Sequence, residues 1–128
     1  MRYLLDTHTF LWFLEGNELL PIEVKKVITN PDNKCLLSIA SLWEIAIKLR
    51  IKKLSLQFPF SKMIDYLIEL DIDLLPLNFE HVISLMDVDL HHRDPFDHIL
   101  IAQAMAEDMT IITKDANFPL YKVKIMWT

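Results

Sequence analysis

Four acidic residues stand at the ends of predicted segments, and carboxylates are the side chains with which proteins bind hard divalent cations. These residues are Asp6, Glu44, Asp97 and Asp115. All-oxygen ligand sets suit Mg²⁺ or Mn²⁺ better than zinc. Two carboxylates held ~4 Å apart repel each other by about 1 kcal/mol in water and by roughly 4 kcal/mol at an effective dielectric constant of about 20. A helix cap contributes only ~1 kcal/mol. Capping alone would therefore not gather these acids in one place, whereas a divalent cation would.

A helix that begins near Asp94 shows how one of these acids is positioned. Asp94 is an N-cap candidate, and Pro95 occupies the first helical position, where its missing N–H costs nothing. Asp97 then lies in the first turn, where the helix dipole favours a carboxylate. Between residues 99 and 106 only Gln103 is polar, so we expect this helix to be buried on nearly all sides.

Strands and helices alternate along the chain, and this order predicts an α/β domain with a mainly parallel central sheet flanked by helices in three layers. The predicted strands are Arg2–Leu5, Cys35–Ala40, Ile72–Leu75, Thr110–Thr113 and Val123–Met126. The predicted helices are Thr9–Leu14, one opened by Pro21, Ser41 to about Arg50, one after Pro59, one capped by Asn78, and Pro95–Glu107. With 128 residues and no linker or repeat, we expect a single domain over residues 1–128.

This arrangement predicts that the four acids meet at one rim, because ligands bind beyond the carboxyl ends of parallel strands. Asp6 ends the first strand and Asp115 follows the fourth. Ser41-Leu42-Trp43-Glu44 has the pattern of a capping box, which places Glu44 in the first turn of the helix after the second strand. Asp97 begins the helix that leads into the fourth strand, so its end of that helix lies at the same rim.

Each acid also has a purely structural explanation. Asp6 could cap the first helix, while Asp97 and Glu44 both fit capping boxes. Glu44 lies four residues before Lys48, which is a favourable helical pair. Asp115 could be a plain turn residue. The prediction of a metal site therefore depends on all four acids together.

The histidines indicate a function less clearly than the acids do. A zinc site from His91, Asp94 and His98 is an alternative, although the spacing matches no familiar zinc pattern. His8 lies two residues after Asp6, and we expect His81 at the surface.

Composition narrows the class of protein. Half of the chain is apolar (52%), and its positive mean hydropathy suggests that a dimer partner or a second protein covers part of the surface. The net charge of −5 argues against a broad basic surface that coats nucleic acid, but it is compatible with an enzyme that holds its acids in one cleft. A single cysteine, Cys35, excludes an internal disulfide and fits a reducing cytoplasm. No apolar run approaches the ~18 residues of a membrane span.

Four motifs together resemble the PIN domain, and more narrowly the VapC-type ribonuclease toxins of toxin–antitoxin pairs. They are Leu4-Leu5-Asp6-Thr7, Ser41-x-x-Glu44, Arg93-Asp94-Pro95-Phe96-Asp97-x-x-Leu100-Ile101-Ala102-Gln103-Ala104 and Thr113-Lys114-Asp115-x-x-Phe118. The resemblance covers nearly the whole chain and implies a three-layer PIN-like fold. It also implies a Mg²⁺-dependent endoribonuclease, with Mn²⁺ as the other cation, that forms homodimers or dimers of toxin–antitoxin pairs and is silenced by a cognate antitoxin protein.

The resemblance assigns metal-ligating or metal-positioning roles to Asp6, Glu44, Asp97 and Asp115, with Asp94 as an auxiliary. Phosphodiester hydrolysis needs a cation that polarises the phosphate and lowers the pKa of an attacking water. We expect Asp6 and Asp97 to bind the metal most directly. Asp115 and Glu44 would complete the shell through waters or orient the nucleophile.

Neighbouring side chains have supporting roles in this hypothesis. Thr7 and Thr113 could hold a metal-bound water or a carboxylate, or could be strand-end caps. Arg93, Lys114 and Lys48 could bind RNA phosphates next to the cut. For the basic cluster that begins at Lys48, a solvated helix end is the alternative. His98 departs from the family pattern, because such proteins often carry arginine at this position.

Two other functions compete with the ribonuclease. A phosphatase of the haloacid-dehalogenase type also uses an aspartate at the end of its first strand, but it requires a second aspartate two residues on, where this chain has His8. The other alternative is a non-catalytic PIN-like module that binds a metal or a basic partner peptide. Asp6→Asn would separate this module from an enzyme, because the substitution would leave binding intact and remove hydrolysis.

Overall fold

The computed structural model describes all 128 residues and contains one five-stranded sheet. The strands are β1 (Arg2–Leu5), β2 (Lys34–Ser38), β3 (Ile72–Leu75), β4 (Thr110–Ile112) and β5 (Lys124–Met126). The helices are α1 (Thr7–Glu15), α2 (Ile22–Thr29), α3 (Ile39–Arg50), α4 (Met63–Glu69), α5 (Phe79–Leu85) and α6 (Pro95–Glu107), with 3₁₀ turns at Phe60–Lys62 and Phe118–Leu120. The order in the sheet is β3-β2-β1-β4-β5, and every pair is parallel.

The sheet is covered by helices on both faces, which confirms the predicted three-layer α/β architecture. Successive residues of β1 point to opposite faces. Leu5 packs in a core with Phe10 of α1 and Ile45 of α3, whereas Leu4 packs in a second core with Leu100 of α6. All five side chains are at most 1% exposed. A strand buried on both faces must be apolar throughout, and this explains the continuous apolar run after Arg2.

The strand order reverses next to β1, at the centre of the sheet. The chain passes from β1 outward to β2 and β3, and then returns to place β4 and β5 on the other side of β1. Leu5 is in register with Leu37 of β2 and Ile112 of β4, so these strands end at the same level. A reversal of this kind opens a crevice at the carboxyl ends of the strands, where α/β proteins bind ligands.

The beginnings of α1 and α3 differ from the predictions. The capping box predicted at Ser41–Glu44 is wrong: α3 begins at Ile39, because the side chain of Ser38 accepts a hydrogen bond from the backbone N–H of Ala40 at 3.0 Å. The second strand therefore ends at Ser38 and not at Ala40, and Glu44 lies in the second turn of α3. Asp6 caps α1 in the same way, so that this helix starts at Thr7.

The remaining predictions of elements are close to the structure. β1, β3 and α6 have the predicted bounds, while β4 and β5 are each one residue shorter. Asn78 caps α5, but His81 does not lie at the surface: it is 0% exposed and completes a capping box with Asn78. No helix has both the length and the apolar character that a membrane crossing requires.

Candidate active site

Asp6 lies at the reversal of strand order and is almost completely buried, with 6% of its surface exposed. Its Oδ1 accepts a hydrogen bond from the backbone N–H of Thr9 at 2.7 Å, and its Oδ2 accepts one from the hydroxyl of Thr113. Burial raises the pKa of Asp6 above its usual range, and the hydrogen bonds from Thr113 and Thr9 oppose this shift. Asp6 is thus both a helix cap and a buried carboxylate at the expected rim.

Thr113 links Asp6 to the chain after β4. Its Oγ1 accepts a hydrogen bond from the backbone N–H of Asp115 at 3.0 Å while its hydroxyl proton is donated to Asp6. Asp115 is also the turn residue that the sequence offered as an alternative, because its Oδ1 accepts from the N–H of Asn117 at 2.8 Å. Its Oδ2 has no hydrogen-bond partner in the protein. The turn therefore uses one carboxylate oxygen of Asp115 and leaves the other without a partner in the protein.

Glu44 reaches the rim from α3 and is held by Thr7. The Thr7 hydroxyl donates to Glu44 Oε1 at 2.7 Å and also lies 2.9 Å from the Ser41 hydroxyl. Glu44 Oε2 pairs with Lys48 Nζ at 2.8 Å across one helical turn, as the spacing of the two residues suggested. Trp43 packs edge-on against Phe96, with ring centroids 5.2 Å apart. This contact brings α3 and the start of α6 together, and Glu44 and Asp97 are the next residues in the sequence after the two aromatic residues.

Asp97 occupies the first turn of α6, after the cap formed by Asp94. The Oδ1 of Asp94 accepts from the backbone N–H groups of Phe96 and Asp97 at 2.9 and 3.3 Å. Burial raises the pKa of Asp97 to about 7; the negative charges of Asp94 and Asp115 add to the rise, and a hydrogen bond from His92 opposes it. Asp97 therefore has a pKa near neutrality, and it is close enough to Asp115 to sense its charge.

Most of these carboxylates lack a lysine or arginine partner from the protein. No lysine or arginine lies within ion-pair distance of Asp6, Asp94, Asp97 or Asp115; Lys48 on Glu44 is the exception among the site acids. No three acidic, histidine or cysteine side chains converge closely enough to form a ready ligand set. Buried and half-buried carboxylates without a lysine or arginine beside them are the donor set that a hard divalent cation would neutralise. The residues thus fit Mg²⁺ or Mn²⁺ in chemistry, and their side chains would need to turn toward the ion.

The basic candidates occupy different places around the rim. Arg93 is exposed immediately before Asp94. Lys114 is exposed, and its Nζ lies 4.5 Å from the ring centroid of Trp12, in a cation–π contact. Lys48 is occupied by Glu44. Arg93 and Lys114 are therefore free of carboxylate partners, whereas Lys48 would have to leave Glu44 before it could contact a phosphate.

Two residues at the site had no role in the sequence-based hypothesis. His92 Nε2 lies 2.9 Å from Asp97 Oδ2, and His92 Nδ1 lies 2.6 Å from the Tyr121 hydroxyl. His92 belongs to a histidine pair directly before the Arg93 motif, which is a local signal. Tyr121 follows the last 3₁₀ turn at a distance of 29 residues from His92, and nothing in the sequence pattern connects the two.

Comparison with known proteins gives the same fold at low sequence identity. No curated protein matches the sequence. The chain is similar to VapBC2 from Rickettsia felis bound to a DNA fragment from its promoter (TM-score 0.76, 13% identity, 100% of both chains covered). It is also similar to DNA-bound VapBC from Salmonella typhimurium (0.74, 13%, 98% of this chain and 97% of the other). A third is VapBC-5 from Mycobacterium tuberculosis, a member of the VapBC family of toxin–antitoxin systems (0.62, 17%, 99% and 98%).

A family model gives the more specific result. The model of the PIN domain matches residues 3–124. The match includes every acid of the rim described above and runs from the start of β1 into β5. The chain therefore belongs to the PIN domain family.

Proposed function

We propose that this protein is a divalent-metal-dependent endoribonuclease and the toxin of a toxin–antitoxin pair, with residues 1–128 forming one nuclease domain. The observation that carries the proposal is the set of buried and half-buried acids at the reversal of strand order. Asp6, Asp97 and Asp115 come from distant parts of the chain and have no lysine or arginine beside them. Membership of the PIN family and similarity to VapBC structures support this function.

In this proposal the four acids contribute to cation binding in different ways. Asp97 and Asp115 each have one carboxylate oxygen without a protein hydrogen bond, and Asp6 contributes its charge from the adjacent buried position. Glu44 joins them through water or after it releases Lys48. When bound, Mg²⁺ or Mn²⁺ supplies a Lewis acid that polarises the scissile phosphate and lowers the pKa of the attacking water.

The other residues of the proposed site orient the acids or bind the RNA. Thr113 fixes Asp6, and Thr7 fixes Glu44, each through its hydroxyl group. Asp94 caps the first turn of α6, which carries Asp97. Arg93 and Lys114, which are exposed and unpaired with acids, bind the RNA phosphates on either side of the cut.

An antitoxin partner and self-association would cover the apolar surface. Several large side chains are strongly exposed, among them Trp43 (62%), Phe79 (72%), Met86 (85%) and Leu90 (84%). Where such side chains form a contiguous apolar patch, they mark a surface that another chain covers. We propose a cognate antitoxin and a homodimer, or a dimer of toxin–antitoxin pairs, as the occupants, and a cytoplasmic location for the assembly.

One observation favours the alternative of a non-catalytic module that binds a metal or a basic peptide. Lys48 already neutralises Glu44, which shows that a basic side chain can occupy this rim. A basic peptide could meet the remaining acids in the same way.

Cleavage of RNA by the purified, partner-free chain distinguishes the two functions. A pool of structured RNA is incubated with the wild type and with Asp97→Asn in Mg²⁺, in Mn²⁺ and in EDTA. The nuclease predicts cleavage that requires the metal and is lost in the variant. If the folded wild type cuts in neither metal, the binding module becomes the better explanation. Cleavage by both proteins would mean that the activity does not arise at this site.

A further inference from the structure

A chain of hydrogen bonds leads from Tyr121 through His92 to Asp97. Tyr121 is 7% exposed, and the side chains of His92 and Asp97 are 13% and 15% exposed. The contacts are short at both ends, 2.6 Å between Tyr121 Oη and His92 Nδ1 and 2.9 Å between His92 Nε2 and Asp97 Oδ2. The three side chains are therefore held by directional hydrogen bonds, because each polar atom along the path has a defined partner.

The direction of these hydrogen bonds follows from how many the hydroxyl group of Tyr121 can accept and donate. The backbone N–H groups of His91 and His92 both donate to Tyr121 Oη, each at 3.1 Å. A phenolic oxygen has two lone pairs and one proton, so both lone pairs are used and the hydroxyl must donate. His98 Nε2 lies 3.2 Å from the same oxygen, and it competes for the proton at a longer distance than His92 Nδ1.

The hydroxyl proton of Tyr121 therefore goes to His92 Nδ1, which must be unprotonated to accept it. In a neutral imidazole the proton then resides on Nε2. That nitrogen faces Asp97 Oδ2, so the ring N–H donates to the carboxylate. Asp97 Oδ1 receives no hydrogen bond from the protein, and one oxygen remains available.

We propose that Tyr121 and His92 are positioning residues for Asp97: Tyr121 fixes the Nε2–H tautomer of His92, which holds one carboxylate oxygen and leaves the other for the cation. The inference rests on the proposed function in that Asp97 is taken as a metal ligand. Partners of this kind orient ligands in metal sites, and their loss typically weakens metal affinity by about 10- to 100-fold. The arrangement comes from a loop, a helix start and a C-terminal turn, and it gives Tyr121 a role in the site.

The first test reads the tautomer and needs no metal and no RNA. Long-range ¹H–¹⁵N NMR of the histidine rings is recorded on the metal-free wild type and on Tyr121→Phe. We expect a neutral His92 with Nε2 protonated in the wild type, and a loss of this preference when the hydroxyl is removed. A wild-type ring protonated on Nδ1 would overturn the proposal.

The second test measures Mn²⁺ binding by electron paramagnetic resonance. Tyr121→Phe and His92→Leu are expected to weaken binding by about 10- to 100-fold. His92→Gln should bind within about threefold of the wild type, because its amide can accept from Tyr121 and donate to Asp97. Tyr66→Phe removes a hydroxyl from α4 and is the matched control, with unchanged binding expected.

The proposal would be contradicted if His92→Gln and His92→Leu lost Mn²⁺ affinity equally. It would also be contradicted if folded Tyr121→Phe bound Mn²⁺ as tightly as the wild type. If Tyr121→Phe does not fold, the comparison of the two His92 variants still decides. The failure of the proposed function gives a different pattern. In that case the expected tautomer is observed, but the wild type either fails to bind Mn²⁺ or binds it without cutting RNA.

Discussion

Burial makes Asp97 chemically different from an aspartate on the surface. Its neighbours include two further acids, Asp94 and Asp115, and the one hydrogen bond to its carboxylate comes from His92. With a pKa of about 7, Asp97 is partly protonated in the metal-free protein at neutral pH. A divalent cation would displace this proton, so metal binding and proton release are coupled at this residue.

The raised pKa of Asp97 predicts how stability depends on pH. An aspartate in an unfolded chain has a pKa of about 3.9, so between about pH 4 and pH 7 the folded state binds more protons than the unfolded state. Stability must then fall as the pH rises through this window. We expect metal-free Asp97→Asn to be more stable than the wild type at about pH 8 by roughly 2 kcal/mol, and the difference to shrink at about pH 4.

Urea denaturation at a series of pH values, in the presence of EDTA, measures this difference. If the difference in free energy of unfolding between the two proteins does not change with pH, Asp97 has an ordinary pKa in the folded chain. Saturating Mn²⁺ should stabilise the wild type and leave the variant almost unchanged.

Thr113 provides a second prediction for single residues. Its hydroxyl joins Asp6 to the backbone of Asp115, and the residue is 1% exposed. Thr113→Val keeps the shape and removes both hydrogen bonds, at a cost of roughly 1–3 kcal/mol for the polar groups left unpaired. We expect RNA cleavage to fall at least about tenfold in the folded variant.

The control is Thr29→Val, because the hydroxyl of Thr29 is exposed and bonds only the carbonyl of Lys25 within α2. Both variants are compared by urea denaturation and by initial cleavage rates. If Thr113→Val cuts RNA as fast as Thr29→Val does, Thr113 has no role in the proposed site.

Helix α6 is the element on which the site depends most, because its first turn carries Asp97. Asp94 caps this turn, and its charge also raises the pKa of Asp97. Asparagine caps a helix about as well as aspartate does, whereas alanine loses ~1 kcal/mol. We therefore expect Asp94→Ala to lose about 1 kcal/mol of stability and Asp94→Asn to lose only a few tenths.

Thermal or urea unfolding of the two variants separates the cap from the charge. Cleavage that persists in Asp94→Asn and drops in Asp94→Ala would assign Asp94 to capping alone. If both variants lose cleavage equally while Asp94→Asn stays stable, the charge of Asp94 itself is needed.

The success of prediction differed between elements for a physical reason. The bounds of α6 could be predicted because Asp94 and Pro95 are local start signals. The start of α3 was misplaced because Ser41 and Glu44 imitate a capping box, although Ser38 is the first cap after the strand. His81 looked like a surface residue, yet packing encloses it and Glu107 binds its ring from 26 positions away.

At the scale of the whole molecule, the parallel sheet brings together acids that are distant in sequence. The alternation of strands and helices predicted the parallel sheet and the shared rim, since both follow from the order of elements. The strand order and the reversal beside β1 could not be predicted, because alternation fits many orders. The link between Tyr121 and His92 was equally hidden, because it is formed only when the C-terminal turn packs on the loop before α6.

The proposed metal site is tested most directly by locating Mn²⁺ with anomalous X-ray diffraction from crystals of the purified protein. We expect an anomalous peak at the carboxyl ends of β1 and β4, with Asp97 and Asp115 as ligands and Asp6 beside them. We also expect the peak to be lost in Asp97→Asn crystals of the same form. If no peak is found at saturating Mn²⁺, or if a peak elsewhere is unchanged by the substitution, these acids do not form a metal site.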